Sequence, residues 1–244
     1  MFTQSRDVPQ PSSTRIWRPA LGAFVALFLF GGTARALPTI DFNIVSPTAG
    51  SVAYLGGATP LFGVGIEVDF VTGTNTPANG GAFTCIDCLL NFQTGAFLAS
   101  TPNSWLFAGA PGSSLLSITG SVDTDGNGSA DIGPSVLLLG TFFGPQISVD
   151  FLTGSAGAIG LSAGLFLDIK NEALAAFFGL PPTPYQGSLA LGWIGLGEPG
   201  SGILATPTNG LVRNTFIPEP ATIGLLAVGL LAVARRRRQS TDAH

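Results

Sequence analysis

The segment from residue 123 to residue 131 has the residue types and spacing of a cation-binding loop. It reads Asp123-Thr-Asp-Gly-Asn-Gly-Ser-Ala-Asp131, with oxygen-bearing side chains at its first, third, fifth and ninth positions and a glycine at its sixth. Such a loop wraps a hard cation in oxygen ligands, so we predict a Ca²⁺ site. The predicted ligands are Asp123, Asp125, Asn127, Ser129 and Asp131. Pro134 stands at the twelfth position in place of a bidentate acid, which predicts weak affinity for Ca²⁺. The alternative to a calcium site is an ordinary polar turn.

Two cysteines form a CxxC motif, Cys85-Ile-Asp-Cys88. Zinc would need two further ligands, but there is no other cysteine, and the one histidine, His244, lies beyond the C-terminal apolar segment. A redox motif would place the first cysteine at a helix N-terminus, whereas the following Leu-Leu-Asn-Phe is typical of a strand. We therefore predict a structural disulfide with a small entropic effect, because its loop is short. Redox chemistry and free thiols are the alternatives.

Paired carboxylates are the residue types that glycoside hydrolysis needs. The candidates in the central region are Glu67, Asp69, Asp150, Glu172 and Glu198. Asp69 and Asp150 occupy the same place in residues 66–73 and 147–154, two phrases that match at six of eight positions. Period-two alternation predicts that these acids lie on one face of a strand and that Phe70 and Phe151 lie on the other, inner face. The repeat indicates either an internal duplication or a reused strand and turn, and simple alternation accounts for the carboxylates equally well.

Charge and histidine content exclude several kinds of chemistry for residues 37–217. This region has eleven acidic residues against two basic ones, Lys170 and Arg213, which gives a net charge near −9. Such a surface cannot neutralise nucleic-acid phosphates, and it lacks the cationic groups usual in phosphoryl transfer. Without a histidine the region cannot build the usual Ser-His-Asp or Cys-His machinery. We therefore expect no nucleic-acid partner and no catalysis.

The elements that must position these residues are strands. Glycine and proline recur between short apolar runs rich in Val, Ile, Leu, Phe and Thr, so we predict an all-β fold, an antiparallel β-sandwich or barrel-like domain. One short helix is expected at Asn171–Gly179, with an N-cap asparagine and a closing glycine. The expected strands are 40–45, 51–54, 62–71, 89–93, 104–107, 115–122, 135–143, 146–152, 160–167, 186–193 and 211–216. Residues 206–214 read as the start of a linker, and strands that are apolar on both faces, such as 137–139, indicate a tendency to self-associate.

Both ends of the chain carry the features of export segments. Basic residues precede an apolar run at 20–30, and Ala34-Arg35-Ala36 has the small-x-small pattern that signal peptidase cleaves. We therefore expect a signal peptide at 1–36. At the other end an uncharged segment, 221–234, is followed at once by Arg235, Arg236, Arg237 and Arg238. A helix of this length spans about 21 Å, short of a core of about 30 Å, but snorkelling arginines and local thinning can cover the difference. We predict a transmembrane helix with a cytoplasmic basic tail.

The order of features at the C-terminus resembles a known sorting signal. Pro218, Glu219 and Pro220 precede the apolar segment and the arginines, and this arrangement is similar to the PEP-CTERM signal of exopolysaccharide-producing Gram-negative bacteria. The resemblance is confined to the C-terminal end of the chain. It implies that the tripeptide is recognised by exosortase, a membrane enzyme, and that these residues are a substrate rather than an active site. The two prolines fit this role because they keep Glu219 in an extended, helix-free segment.

These observations predict three parts: a signal peptide (1–36), an exported β-rich domain (37–215) and a PEP-CTERM signal (216–244). The precursor would be anchored in the inner membrane, and the product would reach the cell envelope, the surface or the extracellular matrix. We expect a structural or adhesive protein, with exopolysaccharide as a partner. The alternatives are a calcium-dependent carbohydrate-binding adhesin, with Trp105, Trp193 and Tyr185 as sugar-stacking candidates, and a polysaccharide-active hydrolase.

Overall fold

A computed structural model describes residues 36–101, 104–109, 112–143, 147–151, 158–182, 184–196 and 202–217. These residues form twelve strands and one short helix, and every pairing between the strands is antiparallel. The strands are β1 (Thr39–Ile44), β2 (Ser51–Tyr54), β3 (Pro60–Glu67), β4 (Phe70–Thr74), β5 (Ala82–Thr101), β6 (Ser104–Phe107), β7 (Leu115–Asp123), β8 (Ile132–Phe142), β9 (Ile147–Phe151), β10 (Ala158–Lys170), β11 (Tyr185–Leu196) and β12 (Ile203–Phe216). The helix, α1, spans Glu172–Phe177. The expected all-β class with one short helix is confirmed.

The strand pairings close into a ring. Four pairs of consecutive strands run end to end beside the same neighbouring strands, so each pair acts as one interrupted strand. The pairs are β1 with β2, β3 with β4, β6 with β7, and β8 with β9. Together with β5, β10, β11 and β12 they make eight positions, each paired with its sequence neighbours. β12 closes the circuit by pairing with both β1 and β2. The pairing pattern is thus a closed, up-and-down one, the barrel-like form of the expected fold.

Alternation of side chains builds the interior of the ring. In β1, Ile40, Phe42 and Ile44 are buried, and in β10 Phe166 is buried between exposed leucines. The largest buried side chains are aromatic, and several surround Tyr54. Its ring centroid lies 5.1 Å from that of Trp105, and its hydroxyl donates a hydrogen bond to the Gly57 carbonyl at 2.6 Å. Burial of each large apolar side chain contributes roughly 1.5–3 kcal/mol, so this filled interior is the main source of stability.

Two sequence-based expectations about strands are wrong. Residues 62–71 are not one strand, because the chain breaks at Val68–Asp69 between β3 and β4. The break shifts the alternation, so Phe70 is exposed, contrary to expectation, and Val71 is buried. In the second copy of the phrase Ile147 and Val149 are buried as expected, while the side chain of Phe151 lies outside the described set. Residues 206–214 are not a linker, since they lie within β12 and Val212 is fully buried.

Helix α1 packs against the end of the ring at which β12 finishes, which we call the exit end. Asn171 is its N-cap and accepts a hydrogen bond from the Leu174 amide at 3.1 Å, as the sequence predicts. Leu174 and Phe178 are fully buried, and Phe177 makes an edge-to-face contact with Phe83 of β5, with centroids 4.8 Å apart. Within the described residues no helix is long and apolar enough to cross a membrane. Apart from Ala36, the expected signal peptide lies outside the described residues, and so does the expected helix at 221–234.

Candidate functional site

The predicted calcium loop connects β7 to β8 at the exit end. Asp123 is the last residue of β7 and is only 3% exposed, so its carboxylate points back into the loop. Its Oδ1 accepts hydrogen bonds from the amides of Asp125 and Gly126, at 3.2 and 2.7 Å. Its Oδ2 accepts one from the Gly128 amide at 2.7 Å. These bonds, that from Gly128 above all, lower the pKa of Asp123 and keep it ionised.

The loop brings three carboxylates together. One oxygen each of Asp123, Asp125 and Asp131 lies within 4.8 Å of the others. Asp131 Oδ2 accepts hydrogen bonds from the hydroxyl and the amide of Thr124, at 2.7 and 2.8 Å, and these bonds lower its pKa. Close ionised carboxylates repel one another unless a cation lies among them, and such an oxygen donor set suits Ca²⁺. The residues therefore fit the predicted ion.

The other two predicted ligands turn toward the loop itself. Asn127 donates from Nδ2 to Asp125 Oδ2 at 2.9 Å, and its Oδ1 accepts from the Ser129 amide at 2.7 Å. Both residues hold the shape of the loop in the described structure. Whether their oxygens also contact an ion stays a prediction.

Cys85 and Cys88 are joined by a disulfide, with sulfur atoms 2.05 Å apart. The sequence placed the strand after the motif, but both cysteines lie inside β5. The register between β5 and β7 shifts between Ile86 and Leu89, where Asp87 has a positive φ of 52°. Gly120 of β7 faces this bulge, and a Cβ there would come within 2.6 Å of the Cys88 Cα atom. The disulfide thus fixes a bulge in the longest strand.

The repeated phrase does not bring its two acids together. Asp69 lies at the break between β3 and β4, where its Oδ2 accepts a hydrogen bond from the Val45 amide at 2.7 Å. Asp150 lies on β9, which pairs with β6 and β10, three ring positions away. Glu67 is on β3 and Glu172 on α1, while Glu198 lies outside the described residues. The structure therefore lends no support to a two-carboxylate mechanism on Asp69 and Asp150.

The aromatic residues proposed for sugar stacking are interior. Trp105, Trp193 and Tyr185 are at most 1% exposed. Trp105 packs against Tyr54, and Tyr185 donates a hydrogen bond to the Pro181 carbonyl at 2.7 Å. A sugar on the outer surface cannot reach these rings.

A buried ion pair inside the exit end was not found from the sequence. Asp168 and Lys170 alternate inward on β10, both side chains are fully inaccessible, and Lys170 Nζ donates to Asp168 Oδ2. The ammonium also lies 4.3 Å from the centroid of the Tyr185 ring. Burial lowers the pKa of Lys170 to about 8, against the opposing effect of Asp168, and burial raises the pKa of Asp168. The available signal was the alternation Leu167-Asp168-Ile169-Lys170, which puts both charges on the face opposite to the exposed apolar residues.

Comparison with known proteins bears on the C-terminus alone. Residues 216–238 match the family model of the PEP-CTERM protein-sorting motif, which includes the predicted Pro218, Glu219, Pro220 and the four arginines. No curated protein and no solved structure matches the chain. The motif indicates export, processing by exosortase, and a membrane-anchored precursor in a Gram-negative bacterium. The ring itself has no assigned family.

Proposed function

We propose that the ring domain is a non-catalytic structural or adhesive protein, sorted to the cell surface or the extracellular matrix. The observation that carries this proposal is the filled interior, since the largest buried side chains, such as Trp105, Trp193 and Tyr54, are at most 1% exposed. The described domain therefore offers partners its outer surface. That surface carries many exposed large apolar side chains, among them Leu115, Leu139 and Leu167, which favour association with other molecules.

A genetic experiment tests the proposal. A strain that lacks the protein should form weaker cell aggregates or lose matrix material, and the full-length chain should restore both. A chain without residues 218–238 should be exported but should not restore them, because it lacks the sorting signal. Unchanged aggregation and matrix in the deletion strain, or full restoration by the truncated chain, would contradict the proposal.

A calcium-dependent carbohydrate-binding adhesin is the second candidate. Two observations favour it: the three carboxylates within 4.8 Å at Asp123–Asp131, and a groove of about 730 Å³ on the outer face of β3, β5, β7 and β8. The groove residues combine an aromatic ring with amides and hydroxyls, the groups that bind sugars. They include Phe62, Asn91, Gln93, Ser113 and Thr141. When bound, calcium would supply positive charge that stiffens the loop, with Asp123, Asp125 and Asp131 as its principal ligands.

Calcium titration tests the calcium requirement of the second candidate. Millimolar Ca²⁺ should raise the Tm of the purified protein, and Asp125→Asn should abolish most of the rise because it removes one anionic ligand. Asp87→Asn is the matched control, since Asp87 is an exposed acid outside the loop. A Tm that calcium leaves unchanged, or an equal rise in the Asp125→Asn protein, removes the calcium-dependent candidate.

A further inference from the structure

The folded domain ends directly at the sorting motif. β12 runs to Phe216, whose amide donates to the Pro38 carbonyl at 3.1 Å, and the Ile217 amide donates to the Pro184 carbonyl at 3.1 Å. Phe216 is partly buried and packs edge-to-face on Tyr185. The chain is therefore anchored to the domain up to the residue before Pro218.

The tether between the domain and the membrane segment is very short. Three residues, 218–220, separate Ile217 from the uncharged segment that begins at Ala221. Even a fully extended chain covers at most about 14 Å over these four steps. The headgroup layer alone occupies roughly 5–8 Å on each side of a bilayer. In the anchored precursor, some outer surface of the domain near β12 must therefore contact or closely approach the lipid.

One outer face beside this tether is suited to lipid, and we call it the β10–β12 wall. It is the outward side of the described parts of β10, β11 and β12, which are neighbours in the ring. Its exposed apolar side chains are Leu165, Leu167 and Ile169 toward the tether, and Ile194 and Leu204 toward the opposite end of the wall, with exposures between 44% and 71%. Leu167 pairs across the strands with Gln186, which pairs with Thr215, so the apolar residues of β10 lie two strands from the end of β12.

The charge distribution selects the same face. Although the exported region has a net charge near −9, the outward side chains of the described wall include no acid. Their one cation, Arg213, donates from Nε to Asp41 Oδ2 of β1 at 3.2 Å, and Asp41 itself is only 6% exposed. Acids flank the wall at Asp150 on β9 and Glu172 on α1.

The other exposed acids of the described residues also lie outside the wall. Asp87 is exposed on β5, four positions from β11 and so opposite the middle of the wall in a ring of eight. Glu67 is exposed on β3, which lies two positions from β12 through β2. The Asp123–Asp131 loop connects β7 to β8, outside the wall, and β8 is the neighbour of β10. Anionic lipids repel these acids, so the domain gains most by turning its acid-free wall toward the bilayer.

We propose that the β10–β12 wall of the anchored precursor docks on the lipid headgroups and inserts its exposed leucine and isoleucine side chains at the membrane interface. The inference rests on the membrane-anchored precursor and is independent of what the released domain does. This docking gives the exposed apolar residues of β10 a second role: they contact lipid in the precursor and become accessible to other molecules after processing.

Site-directed labelling of the full precursor tests this docking. Leu167→Cys on the wall and Leu115→Cys on β7 are matched variants, because the two leucines are 49% and 50% exposed. Cys85 and Cys88 are bonded to each other and do not compete for the label. Each variant carries a polarity-sensitive fluorophore and is placed as a single copy in nanodiscs of phosphatidylethanolamine and phosphatidylglycerol.

The expected result is a blue-shifted emission at position 167 and at least a threefold weaker quenching by aqueous iodide than at position 115. Lipids with a quencher near the headgroup should quench position 167 more strongly. A long, flexible glycine-serine spacer inserted after Ile217 should reduce the contrast, because it releases the domain from the bilayer. Equal quenching at both positions, or stronger protection at 115, would overturn the proposal. Ile169→Cys, at 51% exposure, replaces Leu167→Cys if the latter does not fold.

Discussion

Removal of the Asp168 carboxylate should destabilise the mature protein by roughly 3–5 kcal/mol, because it leaves the Lys170 ammonium buried without its anionic partner. Both side chains are fully inaccessible, and Asp168 Oδ2 accepts the hydrogen bond of Lys170 Nζ. Among the described residues the Tyr185 ring, 4.3 Å away, also stabilises the ammonium. Such a cation–π contact contributes roughly 0.5–2 kcal/mol and cannot replace the ion pair.

The loss should depend on pH. Burial already lowers the pKa of Lys170 to about 8, below its ordinary value of 10.5, even with Asp168 present. A lysine pKa that is lower in the folded state means that the unfolded chain binds the proton more tightly. The cost of burying Lys170 is therefore complete below about pH 8 and fades as pH rises toward 10.5. Without Asp168 this pKa falls further, so the deficit of Asp168→Ala should shrink between pH 7 and pH 9.

Urea unfolding of the mature protein at the two pH values, followed by tryptophan fluorescence, measures both effects. The matched control is the double variant Asp168→Leu with Lys170→Met, which replaces the pair with apolar groups. It should lie within about 1–2 kcal/mol of the natural protein or exceed its stability. A deficit under about 1 kcal/mol for Asp168→Ala at pH 7, well below the cost of an unpaired buried charge, or an equal deficit at pH 9, would refute this account of the ion pair.

Three further changes test other parts of the fold. Replacing both Cys85 and Cys88 with serine should lower the free energy of unfolding by about 2 kcal/mol, the loop-closure value for four residues. Denaturant midpoints measure this loss, and a loss twice as large would show that the disulfide does more than close its loop. Gly50→Ala should lower the Tm more than Gly57→Ala. Both glycines have a positive φ, but only at Gly50 would a Cβ meet a main-chain oxygen at 2.6 Å. Equal shifts in Tm would contradict this close approach at Gly50. Asp123 has a lowered pKa in the folded protein, so the stability it contributes is present above about pH 4 and is lost as pH falls through that lowered value. Asp123→Asn should therefore weaken the fall of Tm at acidic pH, and an unchanged fall of Tm would contradict this prediction.

Local patterns in the sequence predicted most of the strands and the helix. The alternation of Ile40, Phe42 and Ile44 defines β1, and Asn171 with Gly179 marks the limits of α1, because these signals depend on neighbouring residues. Phe70 was misplaced because a break of two residues reverses the alternation, and nothing in the phrase itself shows the break. Residues 206–214 resembled a linker because they are polar, yet Asn214 is fully buried and bonded to the Ile40 carbonyl across the sheet.

Among the candidate sites, too, the sequence predicted only what depends on residues close together in the chain. The carboxylates of Asp123, Asp125 and Asp131 come together because one short loop holds them all, so spacing alone predicted their grouping. Asp69 and Asp150 lie in matching sequence phrases but far apart in the ring, because strand order and not sequence similarity decides which strands pair. The contact of Lys170 with Tyr185 depends on the β10–β11 pairing and could not be read from either strand alone.

The pairing of β12 with β1 has a consequence for biogenesis. Thr39 and Thr215 are partners, although they belong to the first and the last strand of the ring, and β12 also holds β11 and β2. Secretion delivers the N-terminal strand first, so β1 must wait with one edge unsatisfied until nearly the whole polypeptide has crossed. Late closure of so distant a contact is slow and leaves strand edges open to aggregation. Since β12 is the last strand to be delivered and the sorting motif begins at its final residue, the ring can close only when translocation has reached that motif.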